Sequence, residues 1–115
     1  MSAAVSRHRP RIGALRHRIV LEAPIRSADG GGGATVVWAP VAELWAAIAP
    51  TTGSESVLAE SVTGRVSHEI VVRHRADIEP AMRFRLGQRR FEIAAVLDVD
   101  ERRRMLRCLC REDLL

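Results

Sequence analysis

The chain has no lysine and no tyrosine, only two cysteines, and aromatic residues at just 3% of its 115 positions. Each scarcity excludes something. A sequence-tolerant binder of single-stranded nucleic acid stacks successive bases on several exposed rings, so two tryptophans and two phenylalanines count against that reading. Structural zinc takes four ligands, and Cys108 and Cys110 have no second pair to complete the set. Two apart on a strand, they point the same way and are poorly placed for a disulfide with each other. They are expected to be small buried hydrophobes in a reducing compartment. No apolar run approaches the ~20 residues of a membrane-spanning helix, and Met1 to Gly13 lacks the apolar centre of a secretory signal. The H-E-x-x-H, G-x-S-x-G, C-x-x-C and Walker patterns are missing. The 14 acidic residues are scattered, with no convincing acid–base pair among them. An enzyme is therefore not expected, and neither is a metal or any other cofactor.

What is present is a globular composition, 47% hydrophobic and 28% charged. A chain of this length buries roughly 65% of its unfolded surface and can fold without staples. All 18 basic residues are arginine, giving a formal net charge of +4. Arginine's planar fork suits carboxylate or phosphate, although a GC-rich coding genome yields the same bias. Residues 1–13 read as a basic, flexible arm carrying Arg7, Arg9 and Arg11 around Pro10. Residues 14–115 read as one domain.

Strand signals dominate that domain. Leu15 to Pro24 alternates Leu15, His17, Ile19 and Leu21 against Arg16, Arg18, Val20 and Glu22, and Pro24 is expected to end the strand. Asp29 and the four glycines to Gly33 form a turn, without the strand–helix setting of a phosphate-binding loop. Thr35 to Trp38 is extended, Pro40 breaks or bends the chain, and Ala42 to Ala49 continues it. Trp38 and Trp45 are expected to be core or subunit-interface anchors. Arg65 to Arg75 puts Val66, His68, Ile70, Val72 and His74 on one face. His68 and His74 lie about 20 Å apart along such a strand and cannot share a metal; each reads as a sheet-edge or interface histidine. Met82 to Leu86 and Arg90 to Leu97 form a hairpin around Gly87-Gln88, with Phe91, Ile93, Ala95 and Leu97 assigned to one face. Met105 to Glu112 returns with Leu106, Cys108 and Cys110 on one side. Six or seven short strands with close turn signals and no long helix predict an all-β antiparallel barrel.

The stretch from Trp38 to Arg75 reads as two long strands, WAPVAELWAAIAP and RVSHEIVVRHR, around a polar insertion. That insertion is Thr51, Thr52, Gly53, Ser54, Glu55, Ser56, Val57, Leu58, Ala59, Glu60, Ser61, Val62, Thr63 and Gly64. It lacks the apolar mass for a core of its own, and loops held on a rigid sheet are where small domains usually keep their function. Thr52 and Glu55 have capping-box spacing, Gly64 fits a helix stop, and Leu58 and Val62 are four apart, so one or two helical turns are expected.

The ordered set LRHRIVLEAP (15–24), WAPVAELWAAIAPTTGSES (38–56), RVSHEIVVRHRADIEPAMRF (65–84) and RRFEIAAVLDVDERRRMLRCLCRE (89–112) resembles the phage head–tail joining family. These are the head-completion or stopper proteins of long-tailed phages. No single segment is diagnostic, and the specificity lies in the order of all four. The resemblance implies a small β-barrel forming a homo-oligomeric ring of six or twelve copies beneath the portal and adaptor. It implies closure of the exit channel over packaged double-stranded DNA, and a platform for the tail terminator or tail tube. It places the protein in a virion or phage-like particle made in the bacterial cytoplasm, with no membrane partner. The family's plugging element is a loop between barrel strands, which maps onto 51–64. Arg7, Arg9, Arg11, Arg16, Arg18, Arg102, Arg103 and Arg104 are candidates for docking on acidic partners or DNA phosphate. The competing readings are a small-barrel nucleic-acid-binding module, whose affinity would fall steeply with salt, and another connector or tail-terminator component.

Overall fold

The computed structural model describes residues 15–28, 30–51 and 66–113. Among the described residues six strands run in chain order: β1 His17–Ala28, β2 Ala34–Pro50, β3 His68–Arg73, β4 Arg83–Leu86, β5 Arg89–Asp98 and β6 Met105–Asp113. A 3-10 turn, Val99–Glu101, precedes β6. All neighbours are antiparallel and the sheet closes in the order β1-β2-β3-β6-β5-β4. The all-β antiparallel barrel expected from the strand signals is what the chain adopts.

Alternation builds the interior. Ile19 and Leu21 of β1 meet Ala46 of β2, Ile70 and Val72 of β3, Phe84 of β4, Phe91 and Ile93 of β5, and Leu106, Cys108 and Cys110 of β6. Ile78 and Met82, from the turn between β3 and β4, close the packing. Phe84 and Phe91 face each other across β4 and β5 and are fully buried. Each such side chain contributes about 1.5–3 kcal/mol on leaving water. Cys108 and Cys110 are free and buried. Burial pushes the Cys108 thiol up to about 12 and that of Cys110 well above its ordinary value, so both behave as inert hydrophobes.

Three sequence expectations are corrected. Pro24 does not end β1, which runs on to Ala28. Beyond Glu22 the strand has only β2 beside it, and proline is tolerated where no second neighbour needs its missing N–H. The two longest strands are consequently β2 and β1, with 17 and 12 residues, and β3 has only 6. Ala95 and Leu97 do not share the face of Phe91 and Ile93. A bulge at Ala94 shifts the parity, so Val96 packs on the core and Leu97 stands 44% exposed. Of the two readings of the tryptophans, the core one does not apply: Trp38 is half-buried and Trp45 is exposed, both on the outer wall. Near Pro40 the chain bends rather than breaks. The partner of β1 jumps from Ala42 to Pro40, which leaves Val41 as the extra residue of a bulge. At the β4–β5 hairpin Gly87 takes φ +62°, the positive value that a two-residue turn needs at its first position.

Candidate assembly surfaces at the two barrel ends

Antiparallel closure gives the barrel two chemically different ends. At one, β2 and β6 finish and β3 and β5 begin; the 52–65 segment leaves and returns there. At the other, β3 and β5 finish, and β1 and β2 continue outward as a two-stranded ribbon.

The loop end is fastened by short polar contacts. The Thr51 amide donates to the Ser67 carbonyl at 3.0 Å, and Thr51 Oγ1 donates to the Val66 carbonyl at 3.3 Å. These bonds tie the departing chain to the returning one. The Ser67 amide donates to the Cys110 carbonyl at 2.9 Å, and Ser67 Oγ accepts from the Glu112 amide at 2.8 Å, which anchors the root to β6. His68 Nδ1 lies 2.9 Å from Ser67 Oγ, and its ring packs edge-on to Phe91 with centroids 5.2 Å apart. Its Nε2 is 3.9 Å from the Glu112 carboxylate, which Arg89 holds with two hydrogen bonds of 2.8 and 3.2 Å. Burial lowers the His68 pKa; Glu112 pulls it upward and Arg89 downward, and the net shift is down. Arg89 keeps the Glu112 carboxyl below its usual range despite partial desolvation. Ser67, His68 and Glu112 superficially resemble a hydrolytic triad. However, Ser67 Oγ is engaged by a backbone amide, and the imidazole faces it through Nδ1 while its ring lies against Phe91. The arrangement fastens a loop root.

The ribbon end is fastened by charge. From Glu22 a row of outer-face pairs crosses β1, β4, β5 and β6 toward the loop end, Glu22, Arg83, Glu92 and Arg111, opposite in sign at every step. Glu22, 6% exposed, accepts from Arg83 Nε at 2.6 Å and Arg85 Nε at 3.0 Å. Burial alone would raise the Glu22 pKa; the two guanidinium groups more than offset it and hold the carboxyl below its ordinary value. Arg111 pairs with Glu92. The Arg83 guanidinium also stacks over Trp38 at 4.1 Å, which shields that ring.

Of the arginines singled out in the sequence, Arg16 is exposed just before β1. Arg18 pairs with Glu43 at 3.0 Å and lies 5.6 Å from the centroid of Trp45. Arg102, Arg103 and Arg104 are exposed in the turn before β6, at the ribbon end. There the Arg103 amide donates to the Asp98 carboxylate and the Arg104 carbonyl accepts from the His74 amide. The chain enters β1 at the loop end, so Arg16 and Arg18 lie at the opposite end of the barrel from Arg102, Arg103 and Arg104. Arg7, Arg9 and Arg11 lie outside the described residues, as does the candidate loop from Thr52 to Gly64. Of that loop only Thr51 is described. What reading by sequence missed is the ribbon: Pro24 hid the second half of β1.

Among the described residues, no group of three or more His, Cys, Asp or Glu side chains is arranged to hold a metal ion, and no helix is long and apolar enough to cross a membrane.

Comparison with known proteins gives this barrel its family. The model of the phage head completion protein family matches residues 10–113, and the chain belongs to that family. The solution structure of protein SF1141 from Shigella flexneri 2a superposes with a TM-score of 0.72 at 27% identity, over 90% of this chain and 96% of that one. A chain in the virion of a native gene transfer agent particle superposes with a TM-score of 0.63 at 30% identity, over 92% of this chain and 98% of that one. No functionally curated protein shows significant similarity to the chain. Family membership makes this a structural protein of the phage-type particle, acting in head–tail construction.

Proposed function

We propose that copies of this barrel form a ring at the head–tail junction that closes the DNA exit channel after packaging and gives the tail its attachment platform. The observation that carries the reading is the fastening of the 51–66 root. Thr51, Val66 and Ser67 are bonded to one another and to β6, so whatever the intervening residues do, they do from a fixed base. A loop of polar composition on a rigid mount is suited to project into a channel lumen, where symmetry mates surround it. The two chemically distinct barrel ends suit a component with different neighbours above and below: the portal and adaptor on one side, the tail terminator or tube on the other. Packaged double-stranded DNA is the molecule held back. The barrel contributes no catalytic chemistry in this reading; it contributes position.

The test is to replace residues 52–64 with a tight turn and examine particles from cells carrying only that form. The expected outcome is a folded protein that still enters particles, with heads that have lost their DNA. Full DNA retention by such particles overturns the plug.

A further inference from the structure

The β1–β2 ribbon carries apolar surface that its own barrel leaves uncovered. Beyond Glu22 and Pro40 it runs to Ala28 and Ala34, roughly 20 Å at about 3.4 Å per residue. Ile25 and Val37 pair directly and are 50% and 57% exposed, on the face that continues the barrel interior through Ala23. Val36, on the opposite face, is also exposed. Two-stranded ribbons are marginal by themselves in water, so an apolar one of this length is suited to lie against something. A second patch sits on the barrel wall of the same chain. Trp45 is 52% exposed beside Ala47, and Val71 of β3, next to Ala47, is only 4% exposed; Leu97 of β5 lies further round the same outer face, beyond the Arg107–Glu69 ion pair. The Trp45 ring has Arg18 beside it, and tryptophan and arginine are both residue types enriched at the energetic centre of interfaces.

We infer that the ribbon of one copy lies across the Trp45–Ala47 wall of the next copy, head to tail, so that this contact repeats around a ring. A contact with a different protein needs one patch on this chain. A head-to-tail repeat needs two, of matching chemistry and on different faces, which is what the chain presents. One ribbon face, roughly 20 Å long and about 10 Å across, supplies about 200 Å² of the ~800 Å² per partner of a stable interface, so the ribbon anchors a contact that the flanking barrel walls must extend. The inference rests on the ring proposed above and names the surface that builds it.

The test is a double variant, Val37→Cys with Ala47→Cys, treated in intact particles with a short bis-maleimide. The two positions lie about 30 Å apart along β2, beyond such a linker, so each cross-link joins two chains. Cys108 and Cys110 are buried, and the wild-type chain is the control. A ladder at multiples of one chain mass is expected, absent from either single variant. Particles that contain the protein but give no ladder, or that give one adduct with a chain of different mass, overturn the inference. Trp45→Ala supplies a second readout. Because the ring is exposed, the purified variant is expected to keep its melting temperature while its incorporation into particles falls at least tenfold; unchanged incorporation overturns the inference. Both readouts are independent of DNA retention, so a failed plug with a positive ladder, or the reverse, is recognised as such.

Discussion

The two ends of the barrel share one core but are fastened by different physics. At the ribbon end a buried carboxylate, Glu22, is clasped by Arg83 and Arg85. At the loop end, hydrogen bonds from Thr51, Ser67 and the Glu112 amide surround a histidine whose burial favours its neutral form. The charge pair beside it, Arg89–Glu112, has its arginine half exposed. Charge clasps are strong in place and costly to half-remove, because the surviving partner stays desolvated. Neutral hydrogen bonds each contribute about 0.5–1.5 kcal/mol net and can be lost singly. The ribbon end is therefore built as a fixed strut. The loop end is built to tie Thr51 to the chain returning at Val66 and Ser67.

That difference can be broken or sharpened by substitution. The largest effect is expected where both ends lose together. Phe91→Ala removes a fully buried ring that packs against His68 at the loop end and pairs with Phe84. It should cost about 3–5 kcal/mol of unfolding free energy, read by urea titration. Next comes Glu22→Ala, which leaves two arginines without their shared carboxylate and should cost about 3 kcal/mol. Amide exchange should quicken in β4 and in β1 from Val20 to Ala23 while the Thr51 and Ser67 amides stay protected. Equal loss of protection at both ends would show that the clasp is not local. Third is Ser67→Ala, which removes the acceptor of the Glu112 amide and should cost about 1–2 kcal/mol. Here the Thr51 amide is expected to exchange faster while the ribbon end is unaffected.

How much of this was legible in the sequence depended on whether one residue governed a decision or many did. Alternation in β6 placed Leu106, Cys108 and Cys110 inside, because period-two patterning survives any detail of pairing. The same rule failed on β5, where one extra residue at Ala94 inverted everything after it, and no side-chain pattern announces a bulge between two alanines. It failed on β1 because proline is a local stop signal whose force depends on a neighbour strand, and β4 is too short to be that neighbour. The separation of Arg18 from Arg102–Arg104, and the clasp on Glu22 by residues more than 60 positions away, belong to barrel closure. The root at Thr51 was found because composition marks where an apolar strand gives way to polar chain.

The smallest expected effect separates the two ends by acidity. His68 has its folded-state pKa lowered, chiefly by burial, so the unfolded chain binds its proton more readily than the folded one does. Stability from its neutral form is then complete above the ordinary histidine pKa of 6.5 and is lost as pH falls through the lower folded value. Glu22 is also lowered, from a model-compound value of 4.5, so its contribution is complete above that value and disappears only in stronger acid. Acidification should therefore loosen the loop root at His68 first; the Glu22 clasp, together with the Arg89–Glu112 pair, yields only afterwards. Melting temperature followed downward from pH 7 should fall in two steps, and His68→Gln should remove the first while leaving the second. The chemistry behind the first step is local: a protonated ring gains attraction from Glu112 at 3.9 Å, but Arg89 already occupies that carboxylate. The edge-on contact with Phe91 offers the new charge no solvent. If His68→Gln leaves the first step in place, another titrating group at the loop end sets it, and the imidazole is only packing.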